Sequence, residues 1–318
     1  MGRLSTVLPS LQQLRQLQLK DSSFCEHEIT CDAVLSGLGA LTNLTHLVLP
    51  EVADEELLQH LPASLLQLEL VVDEDEGPVQ LGHLTALTKL NAGQYATLRE
   101  HHLLPPNLLE LSAGNLTAAA CLLPLKHLKD LTLQTIEYEA ASAEQLQQLS
   151  SLTALTAVHL TYWTPADITD AAAAGWSALK LRSLHLAPGG DGCFARSTLL
   201  QLSHLTDLQV LSFNTCGLSG LCASRLAVGL GELRQLRSLS LKGVYWREPE
   251  ADAADSHELA SLLRVLAAMR QRGMPHLTHL SLEMQHVGRA AAASLSQIRG
   301  LRRLQLMDCQ VEAAAQQR

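Results

Sequence analysis

Two histidines, His159 and His185, are the residues best placed for chemistry in this chain, because each sits between the two members of an apolar-x-apolar pair. If those pairs lie on neighbouring strands, the imidazoles fall in one column and their rings approach each other. Two histidines without a third ligand make a poor zinc site, even with Cys193 near in sequence. A pH-sensitive contact needs only the pair, since imidazole titrates close to neutrality. Serines at the matching positions (Ser212, Ser240 and Ser281) invite a Ser–His hydrolase reading. That reading lacks a G-x-S-x-G elbow and an acid to orient either histidine. Gly189-Gly190-Asp191-Gly192 has the glycines of a phosphate loop without the lysine and serine that must follow, so it reads as a turn. His101-His102 has no partner motif. No catalytic, cofactor-binding or metal-ligating residue is assigned.

The elements that would position these side chains are legible in the leucines. Twelve paired apolar positions recur: Leu17/Leu19, Leu47/Leu49, Leu68/Leu70, Leu90/Ala92, Leu111/Ala113, Leu131/Leu133, Val158/Leu160, Leu184/Leu186, Leu211/Phe213, Leu239/Leu241, Leu280/Leu282 and Leu304/Leu306. A leucine precedes each pair by three residues, as in Leu301-Arg302-Arg303-Leu304-Gln305-Leu306. The alternation is that of a short, half-buried strand. Recurrence at intervals of tens of residues means an array of stacked units, with leucine rows inside and variable residues outside. The middle outward column reads Gln18, Val48, Glu69, Asn91, Ser112, Thr132, His159, His185, Ser212, Ser240, Ser281 and Gln305, a polar and mostly uncharged stripe.

Leu208-Gln209-Val210-Leu211-Ser212-Phe213-Asn214-Thr215-Cys216-Gly217-Leu218 resembles the leucine-rich repeat, L-x-x-L-x-L-x-x-[N/C]-x-L, with one Phe-for-Leu exchange. The resemblance covers roughly residues 8–310 and implies an α/β curved solenoid, or horseshoe. Such a fold has about twelve parallel concave strands, with convex helices and extended or 3₁₀ segments between them. The whole of 1–318 is then expected to be one solenoid domain. The resemblance implies little about function, because that fold hosts receptors, inhibitors, scaffolds and regulators alike.

Departures from the pattern are informative. The N/C slot holds Ser22, Val52, Asp73, Tyr95, Leu116, Ile136, Trp163, Gly189, Cys216, Val244, Gln285 and Cys309, and never asparagine. Backbone groups at those turns must therefore find other partners. Successive pairs are 20 to 22 residues apart from Leu47 to Leu131, and 26 to 28 apart from Leu131 to Leu239. The shorter units fit an extended or 3₁₀ return, and Leu61-Pro62-Ala63-Ser64-Leu65 and Leu104-Pro105-Pro106-Asn107-Leu108 predict extended segments. Helices are predicted at Ala143–Leu149, Thr198–His204, Cys222–Leu230 and Ala290–Ile298 from their three- and four-residue apolar periodicity. An enlarged segment, 243–275, predicts an acidic loop and then a helix capped by Asp255 or Ser256. Leu259, Leu262, Leu263 and Leu266 form that helix's buried stripe.

Charge is distributed unevenly along each unit. Basic residues precede the strands (Arg15, Lys89, Lys126, Lys129, Lys180, Arg182, Arg234, Arg237, Arg302 and Arg303), and acids follow them, most densely at Asp73-Glu74-Asp75-Glu76. A parallel array collects these into a positive rim and a negative rim, and the negative one would steer a partner with a basic surface. Tyr162 and Tyr245 fall beside the acids and are candidate contact anchors, whereas Trp163 reads as a turn plug.

Composition excludes several classes. A formal net charge of -9 argues against nucleic acid, and 3% aromatic against 47% hydrophobic residues suits a thin leucine core. Seven cysteines without a C-x-x-C pair read as reduced thiols in a cytoplasmic protein. No apolar run is long enough to span a bilayer, although Met1-Gly2-Arg3-Leu4-Ser5-Thr6 carries a weak myristoylation pattern at Gly2. The expectation is a non-enzymatic protein–protein interaction scaffold or adaptor that uses the concave face and the acidic rim. Alternatives are a regulatory subunit (an enzyme inhibitor or a GTPase activator) and the recognition part of a ubiquitin-ligase receptor without its F-box. The sparse sequence around the repeats also fits a fragment of a longer protein. A cytoskeletal or ciliary axoneme address is an alternative carried by the resemblance alone.

Overall fold

Leucines three residues apart build the turn that opens each repeat. The computed structural model describes residues 7–19, 37–52, 55–72, 80–94, 96–134, 143–163, 170–188, 201–214, 229–243, 252–270 and 275–311. Within them the amide of Leu14 donates to the carbonyl of Leu11, Leu44 to Leu41, Leu87 to Leu84, Leu128 to Leu125 and Leu155 to Leu152, all at 2.9 to 3.1 Å. In all but the first of these, where Leu11 is 44% exposed, the turn buries both leucines, and each delivers the chain into a strand. Two compact units result, Met1–Leu155 and Thr156–Arg318.

In the first unit the main sheet has the order β1 (Gln16–Gln18), β2 (His46–Val52), β3 (Gln67–Val72), β4 (Lys89–Asn91), β6 (Glu110–Ala113) and β8 (Asp130–Gln134). All neighbours are parallel, and the register aligns Leu17, Leu47, Leu68, Leu90, Leu111 and Leu131. From Leu47 to Leu133 both members of every pair are buried, and the residue between them is not. Burying a leucine side chain in this way contributes about 1.5–3 kcal/mol, so the rows dominate the stability of a chain with few aromatics.

A repeated backbone device locks the register. The carbonyl just ahead of each strand accepts two amides from the next repeat: Arg15 from Thr45 and His46, Thr45 from Leu66 and Gln67, Thr88 from Leu109 and Glu110. Threonine suits this position because its hydroxyl also reaches back, Thr45 Oγ1 donating to Arg15 O at 3.0 Å and Thr88 Oγ1 to Leu66 O at 3.1 Å. The Leu-Thr phrases of the sequence thus have a structural use.

The turns after the strands lack the asparagine ladder and satisfy their backbone by pairing. β5 (Thr97–Leu98) and β7 (Asn115–Leu116) form a small parallel sheet of their own. Leu116, standing in the slot, is fully buried, and the amides of Gly114 and Asn115 both donate to Ala96 O at 3.0 Å. Gly114 is required there, since a Cβ would lie 2.1 Å from Gln94 O. The two L-P-x-x-L returns differ from their predicted extended form. Leu65 N donates to Pro62 O at 3.1 Å and Leu108 N to Pro105 O at 3.4 Å. Each is a tight turn, to which proline gives only its carbonyl, so its missing N–H costs nothing.

The second unit repeats the scheme with β9 (Ala157–Trp163), β10 (Ser183–Pro188), β11 (Val210–Asn214), β12 (Ser238–Lys242), β13 (His279–Glu283) and β15 (Arg303–Met307), again parallel and in chain order. Another small parallel sheet joins β14 (His286–Val287) to β16 (Gln310–Val311). Here the slot cysteine Cys309 donates its thiol to Leu282 O at 3.3 Å, as the repeat pattern implies.

Return segments carry the helices. Ala143–Gln148 in the first unit and Arg289–Gln297 in the second match their predicted positions. Of the predicted helix Thr198–His204, Gln201 is helical and Leu202–His204 forms a 3₁₀ turn, while residues 198–200 and most of Cys222–Leu230 lie outside the described residues. A helix over Asp170–Trp176 was not predicted, and it buries Trp176 completely. The long helix runs from Asp252 to Arg270, so Asp255 and Ser256 lie inside it and are not its caps. Alanine favours helix, which suits the backbone's helical course through 253 and 254. Leu259, Leu262, Leu263 and Leu266 are buried as predicted. At β15 the pattern opens: Leu304 and Leu306 are 46% and 42% exposed, whereas their register partners Leu280 and Leu282 are 1% and 0%.

Candidate interaction surface

Because the leucines of each pair point inward, the residues between them must line the opposite face of the sheet. In the first unit the register aligns Gln18, Val48, Glu69, Asn91, Ser112 and Thr132 in one column, and Gln67, Lys89, Glu110 and Asp130 in the next. Lys89 Nζ bridges Glu110 Oε2 at 2.8 Å, with both side chains about half exposed. Its hydrogen bond to Glu110, reinforced by that carboxylate's charge, raises the Lys89 pKa. With Glu69 and Asp130 in the same columns, this face is net acidic.

The second unit's face is chemically different. Its middle column aligns His159, His185, Ser212, Ser240, Ser281 and Gln305, the order the sequence predicts. Ser183 and Ser238 flank it on one side, and Asn214, Lys242 and Glu283 on the other. Lys242 Nζ pairs with Glu283 Oε1 at 2.9 Å. Apart from Arg303, which ends the Ser183–Ser238 column and is exposed, the face offers hydroxyls and imidazoles with its charges paired. Thr161 Oγ1 and Ser281 Oγ are buried without a hydrogen-bond partner in the protein.

His159 and His185 do come together. Their ring centroids are 6.0 Å apart and tilted by 31°. Burial, followed by the charge of His159 and then of Lys242, lowers the His185 pKa, and Glu283 opposes the shift. No hydrogen bond joins Ser212 to His185, and among the described residues no three His, Cys, Asp or Glu side chains group as metal ligands. The pair is a polar, titratable feature of the outward face.

The other predicted contact residues are placed less fully. Tyr162 belongs to β9 by its backbone, but its side chain lies outside the described residues, as do Tyr245, Asp73, Glu74, Asp75 and Glu76 entirely. Sequence reasoning placed Lys89 in the basic rim and did not single out Glu110, Lys242 or Glu283. Their signal was present, since each stands two residues from the middle column and opposite charges fall in register on adjacent strands. Cys121 and Cys309 are free thiols, and burial pushes that of Cys121 up to about 12.

These features define, in each unit, a parallel leucine-backed sheet of the leucine-rich-repeat kind. No family model matches the chain, and no curated protein matches it. Among solved structures, one titled "Crystal structure of TLR13-ssRNA13 complex" is similar over 94% of this chain at 20% identity, with a TM-score of 0.48. The chain spans 36% of that protein's length. The fold assignment rests on the strand register and the buried leucine rows. No helix among the described residues is long and apolar enough to cross a membrane.

Proposed function

We propose that this chain is a non-enzymatic protein-interaction scaffold or adaptor that binds its partner across the outward strand faces. The observation that carries this reading is the register itself, which turns scattered polar residues into continuous columns on a leucine-backed sheet. Each outward residue is held by a backbone that the leucine rows make rigid, so binding loses little conformational entropy there. The hydroxyl and imidazole columns of the second unit suit a polar peptide surface. The acidic run Asp73 to Glu76 is proposed to attract a partner with a basic surface, raising the association rate more than the final affinity. A cytoplasmic location is part of the same proposal, motivated by the odd number of cysteines in the sequence.

The test is quantitative affinity capture with the wild-type chain, with His159→Ala/His185→Ala, and with lysines replacing Asp73 to Glu76. The reading expects the histidine variant to lose specific partners and the charge-reversed variant to associate more slowly, with the difference shrinking as salt rises. Identical partners and rates for all three chains would overturn it. Turnover of a substrate that disappears with either histidine would replace it by an enzymatic reading.

A further inference from the structure

The strand-start edge of the second unit is basic in a patterned way. Lys180 and Arg182 precede β10, Arg234 and Arg237 precede β12, and Arg299 and Arg302 precede β15. All six are exposed, and among the described residues none forms an ion pair. The units between them carry different residues at the same edge: Asp207 and Gln209 before β11, and His276 and Thr278 before β13.

Backbone hydrogen bonds fix the spacing. Arg182 O accepts from Gln209 N, Gln209 O from Arg237 N, Arg237 O from Thr278 N and Thr278 O from Arg302 N, each at 2.8 to 2.9 Å. Arginine thus occupies every second place in a continuous row. Parallel neighbours lie about 4.8 Å apart, so the arginines recur about every 10 Å. Each has a lysine or arginine of its own unit two or three residues earlier.

An α-helix advances about 10.5 Å in seven residues and returns to nearly the same face. Carboxylates seven residues apart on a helix lying across the strands would therefore meet Arg182, Arg237 and Arg302 in turn. An extended strand repeats on one face every 6.7 Å or so and falls out of step. A nucleic acid, charged without gaps, would be repelled at Asp207, which stands between two basic units. Guanidinium groups suit carboxylates because they can bond both oxygens at once.

We infer that this edge docks an acidic α-helical segment of a partner protein with Asp or Glu at seven-residue spacing. The site is separate from the outward strand faces and opposite in sign to the run at Asp73 to Glu76, and it stands whether or not those bind. It also gives this acidic chain, at net -9, a place for an acidic partner.

Fluorescence anisotropy on the full chain tests it. The probes are a stabilised helical peptide with glutamates seven residues apart, a peptide of the same composition with those glutamates adjacent, and a single-stranded RNA of equal charge. The expected result is binding of the spaced helix at least about tenfold tighter than of either control. Arg182→Gln/Arg237→Gln/Arg302→Gln should weaken it about tenfold or more, while Arg264→Gln, exposed on the long helix, leaves it unchanged. An unchanged thermal melt of the triple variant shows that folding is intact, and single substitutions serve if it is not. Equal binding of the two peptides, tighter binding of RNA, or no binding of the spaced helix overturns the inference.

Discussion

His159 and His185 face each other in register on adjacent parallel strands, their ring centroids 6.0 Å apart. Burial is the first reason that His185 resists protonation, and the neighbouring imidazole is the second. The unfolded chain accepts that proton more readily than the folded one, so this group's stabilisation is complete above about pH 6.5 and is lost as pH falls below it. Proton-resolved titration by NMR should place His185 below the ordinary histidine value. His159→Gln should shift it partly upward, because burial remains. A His185 that titrates normally in the wild type contradicts the assignment.

His102 makes the same argument with a firmer number. It is 7% exposed, its Nδ1 has no hydrogen-bond partner, and burial, aided by His101 and Arg99, lowers its pKa to about 4. Stability should therefore rise with pH between about 4 and 6.5, with a slope from this group of at most about 1.4 kcal/mol per unit. Urea unfolding across that range should show His102→Leu to be less pH-dependent than wild type. Parallel curves for the two chains would exclude the effect.

Gly114 and Gly82 form a matched pair for a backbone test. A Cβ at Gly114 would lie 2.1 Å from the carbonyl oxygen of Gln94, whereas one at Gly82 would meet Leu103 Cβ at an ordinary 3.5 Å. Gly114→Ala should cost about 2 kcal/mol or more, because backbone must move, and Gly82→Ala should stay within about 0.5 kcal/mol. Equal midpoints for the two variants in denaturant would show that the turn relaxes freely.

Cys121 is buried in the 3₁₀ turn Ala119–Leu122 and donates to Ala118 O at 3.1 Å, with its pKa pushed up to about 12. At neutral pH it holds almost no thiolate, the reactive form. Mass spectrometry after alkylation should find Cys121 unmodified in the native chain and modified after unfolding. Rapid native labelling at Cys121 would contradict its burial.

The leucine register was readable in the sequence because one alternation, Leu-x-Leu, decides both strand and facing. It predicted the column from Gln18 to Thr132 and the one from His159 to Gln305 residue by residue. The stripe at Leu259, Leu262, Leu263 and Leu266 was readable for a similar reason, since helical periodicity survives over 19 residues. Shorter signals failed. Thr97–Leu98 and Asn115–Leu116 are two-residue strands with no period to detect, and pairing across repeats makes them. Asp170–Trp176 is nearly all alanine before its tryptophan, so it shows no apolar stripe. Ion pairs such as Lys242–Glu283 depend on register between residues 41 positions apart and emerge only when strands are aligned.

Whether the outward strand face is the binding surface is tested most directly by blocking it. Ser212→Arg/Ser240→Arg places two bulky charges in the centre of the second unit's face without touching the leucines behind it. With circular dichroism and melting unchanged, the account predicts loss of the partners that the wild-type chain captures. Full retention of those partners by the folded variant would contradict it.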